Sequence, residues 1–173
     1  MRLFLGIDIN EDYHRLISEL KKLNKDNTEI KWIKRENLHV TSLFIGDYPE
    51  ENIDELINEI SDVLSDFMAF KIEPERFVFI PPGKPRMLWL RFHNSKDFSR
   101  LSLLLHKQIL NKEPDHPPRA HVTLSRFKKK PKNKIAFPEI EVFALKVKNI
   151  NLYKSELKTS GAEYSILKEF YLK

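Results

Sequence analysis

The tripeptide His39-Val40-Thr41 recurs as His121-Val122-Thr123, each time inside an apolar, alternating run. That repetition constrains the fold more than any other feature of the chain. Alternation of period two reads as a β-strand, and in a strand residues i and i+2 share one face. Each motif therefore turns an imidazole and a hydroxyl to one side and a valine to the other. A lone His-x-Thr in a strand reads as a half-buried structural pair. Composition alone gives about 0.14 such matches in a chain of this make-up, so two with the same middle residue point to one shared site. The motifs lie 82 positions apart (39 to 121), a separation of about one lobe each.

The pattern around the motifs supports two related halves. Arg2 to Asp8 reads as a strand with Leu3, Leu5 and Ile7 on one face. Asn10 can cap a helix to about Asn24 with the apolar stripe Tyr13, Leu16, Ile17, Leu20 and Leu23. Strands are expected over Ile30 to Lys34 and Leu38 to Ile45, then a helix over Glu50 to Phe67. Phe70 to Ile80 and Arg86 to Phe92 read as strands about a Pro- and Gly-rich turn. Ser95 caps a third helix that faces Phe98, Leu101, Leu105 and Ile109 inward. A Pro-rich loop, Lys112 to Arg119, leads to the strand Ala120 to Phe127, and Lys128 to Lys134 reads as a basic loop. The tail from Glu141 to Leu172 reads as extended structure turned at Thr159-Ser160-Gly161. In both halves a strand and a helix precede a strand bearing His-Val-Thr, without a close sequence repeat. The expected fold is α+β, a single bilobal domain over residues 1–173. Its two pseudo-symmetric lobes are each an antiparallel sheet with helices on the outer face, and the active groove lies between the sheets.

Composition narrows the chemistry. With no cysteine among 173 residues, thiolate nucleophiles, disulfides and Cys-based metal sites are excluded. Asp8, Asp47 and Asp115 do not stand at metal-ligand spacing from the histidines, so no metal is expected. Only four glycines occur and none forms a phosphate-cradling loop, which argues against nucleoside triphosphate use. The net charge of +5 and the pI near 9.3 favour a polyanionic partner such as RNA. The Leu3 to Ile7 run is too short for a signal core or a membrane span, so a cytoplasmic protein with no membrane partner is expected. No heptad or long exposed apolar run argues for assembly, so a monomer is expected.

Taken in order, several stretches resemble the two-histidine (2H) phosphoesterase family, in particular the RNA 2′,3′-cyclic phosphodiesterases historically called 2′-5′ RNA ligases. They are the opening Met1-Arg2-Leu3-Phe4, Trp32 through Thr41, Phe44-Ile45-Gly46, Leu88-Trp89-Leu90, Pro118 through Arg126, and a tail with Leu152 through Leu157 and Tyr164. The resemblance implies metal-independent opening of 2′,3′-cyclic phosphate ends of RNA, or of small cyclic nucleotides, to a 2′-phosphate, with no cofactor. It implies His121 as the base that activates water and His39 as the acid that protonates the departing 3′ oxygen. The residues by themselves leave these two roles open, since either ring can be neutral or protonated near its ordinary pKa of about 6.5. Thr41 and Thr123 can donate hydrogen bonds to phosphoryl oxygens. Arg126 belongs to the family's second motif as a phosphate or base contact. Its alternation parity is opposite to that of His121, so it needs a bend in the strand to reach the site.

Family members often continue the first motif with Leu-Lys-Phe-Leu-Gly, where Ser42-Leu43-Phe44-Ile45-Gly46 stands here. Alternation then sets Leu43, in place of a common Lys, on the face of His39, and Phe44 in the core. The alternatives are reversible 2′-5′ ligation or hydrolysis of 2′-5′ linked oligonucleotides by the same residues, and a non-catalytic RNA-binding module.

Overall fold

A computed structural model describes every residue except Lys128, Lys130, Lys132, Val142 and Ser160. Three lysines of the expected basic loop and the centre of the Thr159-Ser160-Gly161 turn thus lie outside the described residues.

The elements run in the order β1 (Arg2–Asp8), α1 (Glu11–Leu23), β2 (Ile30–Trp32), β3 (His39–Asp47), α2 (Ile53–Leu64), β4 (Phe70–Ile72), β5 (Pro74–Ile80), β6 (Met87–Phe92), α3 (Lys96–Leu110), β7 (His121–Phe127), β8 (Leu145–Val147), β9 (Asn149–Lys158) and β10 (Gly161–Tyr171). Short 3-10 turns cover Arg35–Asn37 and Glu50–Asn52. The side chains of Asn10 and Ser95 accept hydrogen bonds from the first backbone N–H groups of α1 and α3, the capping expected of both. The expected strand Phe70 to Ile80 divides before Pro74, which has no N–H to give a continuing ladder. β4 pairs with β8, and β5 pairs with β6.

The fold is α+β with a mostly antiparallel sheet. The main sheet has the order β10-β9-β1-β3-β7-β6-β5, with β2 also paired to β7. Its middle is symmetric: β3 is flanked by β1 then β9, and β7 by β6 then β5, all antiparallel. The two expected sheets are therefore halves of one sheet, joined between β3 and β7 through the single pair Val40↔Val122.

Both valines are fully buried on the face that carries the helices. There Ser102 Oγ of α3 donates to Ser42 O at 2.9 Å, tying the helix to β3. Tyr13 of α1 packs on Phe92 of β6 and Phe143, and donates to Phe143 O at 2.9 Å. α1 thus covers the β6 half and α3 the β3 half, so each helix crosses to the half opposite the strand it follows. Leu23, expected in the buried stripe of α1, is 50% exposed, and the buried side chain at the helix end is instead Asn24, whose Nδ2 donates to Ala136 O at 2.7 Å. Among the described residues no helix is long and apolar enough to cross a membrane.

Candidate active site

The join between the half-sheets is the place where the two motifs meet. Val40 and Val122 face the core, so His39, Thr41, His121 and Thr123 all face the other way. Continuing the Val40↔Val122 register by one residue sets His39 opposite Thr123 and Thr41 opposite His121. All four line one cleft of about 470 Å³, to which no residue of α1, α2 or α3 contributes.

Beyond each threonine the alternation breaks, twice and in the same way. On β3 the pairing with β1 skips Ser42, and on β7 the pairing with β6 skips Leu124. An extra residue in one strand turns the following side chains to the opposite face. Both motifs consequently show two consecutive buried residues, Ser42-Leu43 and Leu124-Ser125, followed by one exposed residue. Arg126 reaches the cleft by this bend, which resolves its unfavourable parity.

The same bend overturns two expectations for the first motif. Leu43 is 1% exposed and belongs to the core, so it does not stand on the face of His39. Phe44 is 66% exposed and lines the cleft. Phe44 and Arg126 occupy equivalent places in the two halves, an aromatic ring on one side and a guanidinium on the other.

The backbone orients both imidazoles. His39 Nδ1 lies 2.8 Å from Asn37 O, and His121 Nδ1 lies 2.9 Å from Arg119 O. A carbonyl oxygen only accepts, so each Nδ1 carries a proton and each Nε2 is the working nitrogen. Thr41 Oγ1 stands 3.0 Å from His39 Nε2 and donates to it when the ring is neutral. The Asn37 carbonyl is held in turn, because Asn37 Nδ2 donates to Ala162 O of β10 at 2.7 Å.

Aromatic rings clamp the imidazoles laterally. Trp89 of β6 stacks on His121 at 3.7 Å between centroids and 15° between planes. On the other side Phe4 lies 4.7 Å from His39, and Tyr164 meets it edge-on at 5.4 Å. Gly6 takes the place in β1 that Trp89 takes in β6, since Gly6 pairs with Thr41 and Trp89 with Thr123. A side chain at residue 6 would crowd His39: a Cβ there would meet His39 Cδ2 at 3.2 Å.

Burial lowers the pKa of both imidazoles from the ordinary 6.5. For His39 the Asn37 carbonyl and the Asp8 carboxylate oppose that shift while His121 adds to it, and for His121 only the Arg119 carbonyl opposes it. The cleft lining carries Arg2, Lys31, Lys34 and Arg126 and, among the described residues, no carboxylate. Such a surface attracts a phosphate diester. His116 and its Pro-rich loop do not line the cleft. His106 lies on α3 and donates from Nδ1 to Ser102 O at 2.7 Å.

Residues 11–159 match the model of the 2′-5′ RNA ligase superfamily. The chain belongs to that superfamily. This is the two-histidine phosphoesterase family expected from the motifs, so the protein is an enzyme of the phosphoesterase class. The RNA 2′,3′-cyclic phosphodiesterase of Thermotoga maritima is 30% identical over 98% of this chain and 94% of its own length. That of Methanocaldococcus jannaschii is also 30% identical, over 98% of this chain and the whole of the relative. A crystal structure of a Thermus thermophilus protein superposes with a TM-score of 0.87 at 26% identity, covering 99% of this chain and 98% of that one. E. coli LigT, solved in complex with 3′-AMP, shares the fold with a TM-score of 0.82 at 20% identity, over 99% and 97% of the two chains.

Several neighbours of the motifs were not legible as site residues. The alternation of Leu88, Leu90 and Phe92 already turns Trp89 to the face opposite the core, but that β6 lies beside β7 is visible only in the fold. Phe4, Gly6 and Tyr153 share the cleft side of β1 and β9 for the same reason.

Proposed function

We propose that this member of the superfamily hydrolyses 2′,3′-cyclic phosphate ends of RNA to 2′-phosphates by metal-independent acid–base catalysis between His39 and His121. The observation that carries the reading is the convergence of two Nδ1-anchored imidazoles, each with its threonine, in one cationic cleft.

In this reading a water attacks phosphorus from the His121 side and gives its proton to His121 Nε2. The P–O3′ bond breaks, and His39 Nε2–H protonates the departing 3′ oxygen. One water is consumed, and the ring charges reset by exchange with solvent. Thr41 and Thr123 donate hydrogen bonds to the non-bridging oxygens as charge builds on them. Arg126 holds the phosphate or the adjoining nucleotide, and Phe44 offers a flat apolar face to a base. Among the described residues no three His, Asp or Glu side chains are grouped so as to hold a metal ion. The names of the full-length relatives support the choice of RNA.

The test is incubation of the protein with an oligonucleotide ending in a 2′,3′-cyclic phosphate, in excess EDTA, with the phosphate position in the product read by NMR. A 2′-phosphate end is expected. A 3′-phosphate end, or no turnover until metal is added, would overturn the reading.

A further inference from the structure

The symmetry of the sheet makes one inequality conspicuous. Directly across from His39 on β1 is Asp8, and directly across from His121 on β6 is Arg91. The two imidazoles therefore have neighbours of opposite charge at the same place. Arg91 is compensated locally, donating from Nε to Glu75 at 2.8 Å and from Nη2 at 3.1 Å.

Asp8 makes no ion pair among the described residues, and two neutral donors hold it. Tyr153 OH donates to Asp8 Oδ1, and Asn151 Nδ2 donates to Oδ2 at 2.9 Å. Asn149 Nδ2 in turn donates to Asn151 Oδ1 at 2.9 Å, which fixes that amide's orientation. Tyr153 also stacks on Phe4 at 4.8 Å and 13°, and Phe4 is the ring against His39. Asp8 does not line the cleft. It is exposed at the end of β1, and the cleft residue it pairs with is His39.

The other groups around His39 do not take over this task. Tyr153 from β9 and Tyr164 from β10 present neutral rings, and His121 from β7 disfavours a second charge. Arg2, Lys31, Lys34 and Arg126 on the cleft walls are cationic, so none of them can retain a proton on His39. Burial works against a proton on His39, and the Asp8 carboxylate opposes that effect.

We propose that Asp8 is a positioning residue that makes the two imidazoles unequal: its carboxylate, held by Tyr153 and Asn151 across from His39, favours a proton on His39 over one on His121, so His39 donates while His121 accepts. The direction of proton transfer is then written in Asp8, which has no carboxylate counterpart across from His121, and not in the motifs, which are identical. The assignment rests on the functional reading above for its catalytic consequence, but its electrostatic content is independent of substrate.

The experiment is an NMR titration of the six histidine rings in the wild-type protein and in Asp8→Asn, which keeps the side-chain shape and an acceptor for Tyr153. In the wild type His39 is expected to titrate at higher pH than His121. In Asp8→Asn the His39 midpoint moves to lower pH and that of His121 stays in place. Tyr153→Phe keeps the charge, and there the His39 midpoint does not fall. With a cyclic-phosphate substrate, Asp8→Asn is expected to lose about tenfold in kcat at pH 8 and much less at pH 6, where solution protons replace the lost anion. A His121 midpoint above that of His39 in the wild type would overturn the proposal, and so would an Asp8→Asn loss equal at both pH values. The titration uses no substrate, so absence of turnover falls on the functional reading alone.

Discussion

Gly6→Ala adds a single methyl group, and the structure says where it goes. The new Cβ would lie 3.2 Å from His39 Cδ2 and 3.3 Å from both Phe4 Cε2 and Tyr153 Cε2. All three contacts are a few tenths of an ångström tighter than ordinary carbon–carbon packing at about 3.5–4.0 Å. Phe4 is stacked against Tyr153, and Tyr153 is tied to Asp8, so those rings have little room to withdraw. His39 borders the open cleft and is the ring that moves. Its displacement lengthens the Asn37 and Thr41 hydrogen bonds that aim Nε2.

A misplacement of about 1 Å in a reacting group costs on the order of 10²-fold, so a shift of a few tenths is expected to lower kcat by roughly threefold to tenfold. Stability is expected to change little. The alanine restricts the unfolded chain by about 0.4–1 kcal/mol in the protein's favour, and crowding against three rings offsets a gain of that size. The assay is steady-state hydrolysis of a cyclic-phosphate dinucleotide beside a thermal melt. A kcat equal to wild type with an unchanged melt would refute the argument that Gly6 is there to let His39 approach β1.

Trp89→Phe is expected to keep most activity, and Trp89→Leu to lower kcat by about tenfold through loss of the flat face that holds His121, as measured in the same assay. Arg126→Ala is expected to raise KM and to reduce the slope of log KM against log salt by about one, because one cation fewer meets the RNA; an unchanged slope would exclude a phosphate contact. The folded pKa values of His14, His39 and His121 are all depressed below the ordinary 6.5, burial being the leading cause for each. The unfolded chain therefore binds protons at these sites more readily, so their stabilisation is complete above pH 6.5 and is lost as pH falls through the folded values. Urea midpoints measured from pH 7.5 down to 5 are expected to fall, and to fall less in a His39→Gln variant.

How much of this was readable in the chain depends on what each inference required. Period-two alternation sufficed to set His39 with Thr41 and His121 with Thr123, because those residues precede any irregularity in their strands. It failed at the next step, since the bulges at Ser42 and Leu124 depend on pairing with β1 and β6, which the order of residues does not display. Leu43 and Phe44 were accordingly exchanged between core and cleft, and Arg126 stood on the wrong parity. The same limit hid the flanking residues. Asp8 reads as the end of a strand, and only the register of β1 with β3 sets it beside an imidazole. Helices were the easier part, as the caps Asn10 and Ser95 and the stripes they introduce are local signals. Their crossing to opposite halves is a long-range property.

The most direct test of the account is the turnover of His39→Ala, of His121→Ala and of the double variant on an oligonucleotide with a 2′,3′-cyclic phosphate end, with folding checked by circular dichroism. Each single variant is expected to lose about 10²–10⁴-fold in kcat. The double variant should lose little more than the worse single, because an acid and a base acting in one step fail together. Wild-type turnover in either folded single variant would contradict the claim that the two imidazoles share one phosphorus.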